Sequence, residues 1–241
     1  MGKEDTGGND MLGIIGAMEI EVARLKEAMQ NVVVKNKAGM EFCQGELAGC
    51  PAVVVRSGVG KVNAAMCAQI LVDDFGVDAI VNTGIAGSLK AEINIGDMVI
   101  CSDTLQHDMD ATGFGYPVGV IPQMECSTFV ADAKLQKLAQ ECCAVVNPEI
   151  NTFVGRVVSG DQFISDKAKK QWLTDTFAGY CTEMEGAAIA QAAYRNQVPF
   201  LIIRAISDKA DDSATMDYPE FEAKAVEHSV NLMMAMAEKL A

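Results

Sequence analysis

Six short apolar runs, at residues 12–15, 52–55, 79–81, 98–101, 153–158 and 200–206, punctuate the chain. Several of them are apolar throughout, rather than in alternation, which suits strands buried on both faces of a sheet. Between them, residues 61–75, 132–145, 166–176 and 183–197 carry Ala, Leu, Met, Lys and Gln at helical spacing. A last helix is predicted over 218–240, with an apolar stripe of Phe221, Ala225, Leu232, Met236 and Leu240 and with Asp217, Pro219 and Glu220 as its cap. This alternation predicts an α/β fold: a single domain with a central, mostly parallel mixed sheet flanked by helices. The segments that end the runs are equally informative. Gly16 to Glu21, Arg56 to Gly60, Asn82 to Gly87, Ser159 to Asp161, and Ser207 with Asp208 are polar or glycine-rich tails. Ligands of open parallel sheets bind beyond the carboxyl ends of the strands, so these five tails are the predicted walls of one site.

Of the 241 residues, 50% are hydrophobic, enough for a continuous core, and the net charge is −14 with no Lys/Arg cluster. That balance argues against a nucleic-acid or anionic-membrane partner. The eight cysteines form no CxxC pair, which fits a reducing, cytoplasmic setting and no zinc site. Residues 1–10 are polar and glycine-rich and read as a disordered leader or expression remnant, leaving 11–241 as the domain.

Several motifs fail on inspection. Gly58-Val-Gly60-Lys61 lacks the first glycine and the Ser/Thr of a P-loop, Gly13-Ile-Ile-Gly16 lacks GxGxxG spacing, and neither Ser57 nor Ser159 lies in GxSxG. His107-Asp108-Met-Asp110 has metal-ligand character but reads better as a solvated loop. Three carboxylates at element boundaries remain: Glu21, Glu185 and Asp208. Each has a local explanation. Glu21 fits the first turn of a helix, Thr182-Glu-Met-Glu185 fits a capping box, and Asp208 fits a turn. Arg204, four residues before Asp208 in an apolar run, requires a partner if that run is buried.

Taken in order, Gly13-Ile-Ile-Gly-Ala-Met-Glu-Ile-Glu21, Ser57-Gly-Val-Gly-Lys61, Asn82-Thr-Gly-Ile-Ala-Gly87, Ser159-Gly-Asp-Gln-Phe-Ile164, Glu183-Met-Glu185 and Arg204-Ala-Ile-Ser-Asp208 resemble the methylthioadenosine/S-adenosylhomocysteine nucleosidases, over residues 12 to about 240. The resemblance implies a nucleoside phosphorylase-like fold, hydrolysis of an N-glycosidic bond, no cofactor, no metal, and a homodimer. It also implies roles. Asp208 resembles the general acid that protonates N7 of adenine, a task for which its carboxyl should hold a proton near neutrality. Glu185 resembles the ribose-binding carboxylate, and Glu21 the residue that orients and deprotonates water, with Arg204 and Glu183 in its network. Phe163 resembles the adenine-stacking residue and Ile164 the one whose backbone meets the base edge. Met18, Val59, Met184 and Tyr218 resemble the apolar surround of ribose and the 5′ group, with Ser207 beside the acid and Phe114 reaching in from a second subunit. Two positions depart from the pattern: Ile85 stands where some members place a serine, and Ala111 where a valine is common. Residues 209–218, acidic and rich in small side chains, read as a mobile lid.

The rival within the fold is a nucleoside phosphorylase, which holds phosphate with arginines where this chain offers Glu21 and Asn82-Thr83. A futalosine-type purine nucleosidase is a further alternative, and a binding protein without chemistry is the rival from another class.

Overall fold

The run at 79–81 opens a ten-residue strand, β5 (Ala79–Ser88), and this strand organises the molecule. The computed structural model describes residues 10–211 and 214–241, with the backbone alone for 215–220. In chain order, β1 (Leu12–Gly16), α1 (Glu19–Ala28), β2 (Gln30–Lys37), β3 (Met40–Leu47), β4 (Cys50–Arg56) and α2 (Lys61–Phe75) precede β5. After it come β6 (Met98–Gln106), β7 (Thr128–Val130), α3 (Ala133–Val146), β8 (Thr152–Ser159), α4 (Lys167–Phe177), β9 (Cys181–Glu183), α5 (Gly186–Asn196), β10 (Phe200–Asp208) and α6 (Ala214–Leu240).

β5 is long enough to serve two neighbourhoods. Its first half pairs in parallel with β1, which continues through β4 and β3 to the edge strand β2. Along most of its length it also pairs in parallel with β10, and at Gly87–Ser88 it meets β9 antiparallel. β10 pairs with β6, β6 with β8, and β8 with β9, so β5, β10, β6, β8 and β9 close into a ring. The six runs read from sequence are β1, β4, β5, β6, β8 and β10, and their mutual pairings are parallel apart from β10 with β6. The short or polar strands β2, β3, β7 and β9 contribute most of the antiparallel pairs.

Burial explains the apolar runs. Ile14, Ile15, Val53, Val54, Val55, Ile80, Val81, Leu201, Ile202 and Ile203 are all without exposure, each contributing roughly 1.5–3 kcal/mol relative to an exposed side chain. Helices cover the sheet in two groups: α2 packs on α5, while α6 packs on α1, α3, β5 and β10. Asp132 and Asp166 cap α3 and α4 through the amides of Lys134, Leu135 and Lys169. At the open edge β2 is exposed throughout, and Lys35 and Lys37 close on Asp74, charges that discourage further strand pairing.

Two predicted helix starts move. The segment expected as a helix from 183 begins at Gly186, because Cys181–Glu183 is drawn into the ring as β9. The last helix begins at Ala214 rather than 218, so Asp217, Pro219 and Glu220 lie within it instead of capping it. The side chains at 215–220, Tyr218 included, and residues 1–9 of the expected leader lie outside the described residues.

Candidate active site

The carboxyl ends of β1, β5, β8, β9 and β10 meet at one mouth of the ring, around a cavity of about 410 Å³. Glu21 reaches its floor from the first turn of α1. Its Oε2 accepts the amides of Ala17 (2.7 Å) and Met18 (2.9 Å), and its Oε1 accepts the amide of Ile85 (3.2 Å). The helix-start explanation is thus correct, and the same bonds aim the carboxylate at the cavity. β5 makes room for it: a Cβ on Gly84 would stand 2.6 Å from Glu21 Oε1. Burial pushes the Glu21 carboxyl above its ordinary value, against the pull of the Met18 amide, Arg204 and the other two amides.

Arg204 is buried, and its partner comes from another element. Its guanidinium donates to the Glu183 carboxylate, to the backbone and side-chain oxygens of Asn82, and to the carbonyl of Ile203. Glu183 is occupied on every side, since it also accepts Ser159 Oγ and the amides of Glu185 (3.2 Å) and Gly186 (2.8 Å). Those amides open α5, so the cap of this helix is Glu183, helped by Ser159 Oγ on the Ala187 amide (2.7 Å), and not the predicted Thr182–Glu185 box. Glu185, relieved of capping, turns into the cavity and accepts the Gly60 amide at 2.8 Å. Burial, then the charge of Glu183, pushes its carboxyl up to about 7, with the Gly60 amide and Arg204 opposing.

Asp208 ends β10 on the same wall and is 2% exposed. Ser207 Oγ donates to its Oδ2 (2.9 Å) and the Ala210 amide to its Oδ1 (2.7 Å), so its turn chemistry is real too. Gly87 admits it, since a Cβ there would lie 2.7 Å from Asp208 Oδ1.

The cavity gathers Met18, Glu21, Val59, Phe163, Ile164, Glu183, Met184, Glu185, Ser207 and Asp208. Two expected residues do not line it: Arg204 lies behind the wall, and Phe114 is 88% exposed on the turn Thr112–Phe114. The Tyr218 side chain lies outside the described residues. Ala17, Ile85, Ala86 and Gly87 also line the cavity from tails expected as walls, though they were not singled out as site residues; Gln162, next to the Ser159–Asp161 tail, and Thr182, outside all five tails, were missed. Ala111 does not line the cavity. At the start of the expected lid, Lys170 Nζ donates to the Lys209 carbonyl and pairs with Asp211, and Ala210 is buried; residues 212 and 213 are outside the described residues.

His107 corrects the solvated-loop expectation. It is fully buried, neither ring nitrogen has a hydrogen-bond partner among the described residues, and burial pushes its imidazole down to about 4. Asp108 pairs with Lys61, and among the described residues no group of three His, Cys, Asp or Glu side chains is spaced to hold a metal ion.

Comparison with known proteins places the chain in a family. The family model of the phosphorylase superfamily matches residues 11–238. The methylthioadenosine/S-adenosylhomocysteine nucleosidase of Shewanella pealeana is 41% identical over 95% of this chain and 99% of its own length. The Neisseria meningitidis nucleosidase of that name, solved with methylthio-immucillin-A, superimposes with a TM-score of 0.91 at 36% identity, covering 95% of this chain and 99% of the other. The futalosine hydrolase of Helicobacter pylori gives a TM-score of 0.90 at 30% identity, covering 96% and 98%. With its fold and near full-length similarity in agreement, the chain belongs to the methylthioadenosine/S-adenosylhomocysteine nucleosidases of the phosphorylase superfamily.

Proposed function

We propose that this protein hydrolyses the N-glycosidic bond of 5′-methylthioadenosine and S-adenosylhomocysteine, and of 5′-deoxyadenosine, releasing adenine and the corresponding 5′-substituted ribose. The observation that carries hydrolysis over phosphorolysis is the cavity floor. Glu21 is fixed there by three amides, and no Arg or Lys is among the described residues that line the cavity. A phosphate nucleophile needs cations and is repelled by a carboxylate; water needs a base.

In this reading Asp208 gives its proton to N7, and the base leaves neutral. Ser207 and the Ala210 amide then hold the carboxylate left behind. As the C1′–N9 bond stretches, positive charge grows on the sugar beside Glu21 and Glu185. The floor suits that moment: Glu21, Glu183 and Glu185 are served by Arg204, the one buried Arg or Lys among the described residues, so a developing oxocarbenium supplies the missing charge. Water adds to C1′ and passes its proton to Glu21, while Glu185 accepts from the ribose hydroxyls. Phe163, half-exposed at the mouth, offers its ring to adenine, with Ile164 at the base edge and Met18, Val59 and Met184 around the sugar.

Two further points belong to the same proposal. Phe114, exposed and remote from its own chain's cavity, serves the site of a second copy in a homodimer. The cytoplasm is the proposed location; the eight cysteines are all free, and no helix among the described residues is long and apolar enough to cross a membrane.

Adenine release in phosphate-free buffer, with ¹⁸O from labelled water appearing at C1 of the thioribose, is the expected result. A requirement for phosphate, with a ribose 1-phosphate as product, would overturn it. A panel of methylthioadenosine, S-adenosylhomocysteine, 5′-deoxyadenosine and futalosine then orders the 5′ preference.

A further inference from the structure

Beyond β6, the chain runs along the loop that carries Phe163 and holds it one residue at a time. The His107 amide donates to the Ser159 carbonyl (2.8 Å). The His107 ring then lies against Gly160 so closely that any Cβ there would overlap it. Next, Asp108 Oδ2 accepts the Asp161 amide (2.9 Å). Asp161 in turn reaches across to the opposite wall, where its Oδ1 accepts the amide of Lys61 at 2.8 Å. Lys61 Nζ closes the circuit on Asp108 Oδ1 (2.6 Å) and Gln106 Oε1 (3.0 Å).

The consequence lies in which amides are used. Gly60 and Lys61 are consecutive at the start of α2: the Gly60 amide holds Glu185, and the Lys61 amide holds Asp161, two residues before Phe163. One rigid turn therefore sets both the carboxylate that faces the sugar and the loop that faces the base. We propose that Lys61, Asp108 and Asp161 are positioning residues that pre-order the base-stacking loop in register with Glu185, so that base and sugar are gripped at a fixed separation. None of the three lines the cavity. The inference rests on Phe163 as the adenine platform and Glu185 as the ribose carboxylate.

A pre-ordering device has a kinetic signature. Without it, only a fraction of free protein carries a competent loop, so apparent affinity falls by that fraction, while bound substrate restores the register and kcat changes little. Asp161→Ala removes the acceptor for the Lys61 amide, and Asp161→Asn keeps one. Adenine titration calorimetry and steady-state kinetics on the full chain read the difference. Asp161→Ala is expected to raise the adenine Kd and the substrate KM about tenfold, the effect of one charge-assisted hydrogen bond, with kcat within about threefold and Asp161→Asn within about twofold of the unaltered protein. Lys61→Met, which keeps the amide but loses the ammonium, gives a second measurement should Asp161→Ala not fold, and is expected to raise both constants about threefold or more.

A rise below about fivefold for Asp161→Ala, an equal loss in Asp161→Asn, or an effect confined to kcat overturns the proposal, as does an unchanged Lys61→Met if Asp161→Ala cannot be obtained. Failure of the unaltered protein to release adenine is a separate result, and it refutes the hydrolytic reading instead.

Discussion

Replacing Glu185 by glutamine should change the shape of the stability-versus-pH curve and not merely its height. Two buried groups titrate across one window with opposite signs. The Glu185 carboxyl is pushed from an ordinary 4.5 up to about 7 by burial and Glu183, so the folded state keeps its proton longer than the unfolded chain does. Its contribution is fully present below pH 4.5 and is lost as pH rises through 7. His107 behaves in reverse. Burial pushes it from 6.5 down to about 4, so the unfolded chain takes up a proton that the fold refuses, and stability is gained as pH rises from 4 to 6.5. Each effect amounts to roughly 3 kcal/mol at most, since one pKa unit corresponds to about 1.4 kcal/mol. Between pH 4.5 and 6.5 these two contributions nearly cancel each other in the unaltered protein. Glu185→Gln removes one of the two, so its Tm relative to the unaltered protein should climb across that window by about 6–12 °C, at 2–4 °C per kcal/mol for a chain of this size. His107→Asn should do the opposite and decline throughout. Glu21, also raised by burial, has the sign of Glu185 but is common to all three proteins and leaves the difference curves. Scanning calorimetry in half-unit pH steps at constant ionic strength makes the comparison. Parallel curves for the unaltered protein and Glu185→Gln would refute the claim that Glu185 holds its proton to about 7.

Three other substitutions probe the remaining walls. Asp208→Asn should slow adenine release by about 10² to 10⁴, the range for a lost general acid, and near-normal turnover would remove Asp208 from that role. Gly84→Ala puts a Cβ 2.6 Å from Glu21 Oε1; displacing that carboxylate by about 1 Å should reduce activity about 10²-fold while a urea melt moves little. Arg204→Met leaves Glu183 buried beside Glu185 without its cation, and the urea midpoint should fall by an amount equivalent to about 3–5 kcal/mol, a figure that an unchanged midpoint would refute.

Much of this architecture is legible in sequence because strands such as β1, β5 and β10 are buried on both sides. Continuous runs such as 200–206 have no solvated face to encode, and the polar residues that end them have no place but the mouth. What was not legible depends on distant partners. β2 is wholly exposed and carries no burial pattern. β9 is three residues long and is a strand only because β8 and β5 flank it. His107, between Gln106 and Asp108, looks like a surface histidine until Gly160, far along the chain, opens space for its ring. Residue spacing alone did not reveal the partner of Arg204, since Glu183 arrives from another element while the nearby Asp208 turns to Ser207 and Ala210; only the family resemblance had put Arg204 and Glu183 in one network.

The closed circuit of β5, β10, β6, β8 and β9 also divides the molecule by how it can loosen. A hoop has no edge strand from which to unzip, so the buried amides along its strands should exchange with solvent more slowly than those of β2, which can peel away alone. Glu183 and Asp208 lie on hoop strands, and Glu21 is hydrogen-bonded to β5. Val59, Gln162 and Phe163 lie on the loops above it. Inherited substitution on these loops can therefore reshape the opening while the acids beneath keep their spacing. One chemical engine can in this way be fitted to several nucleosides.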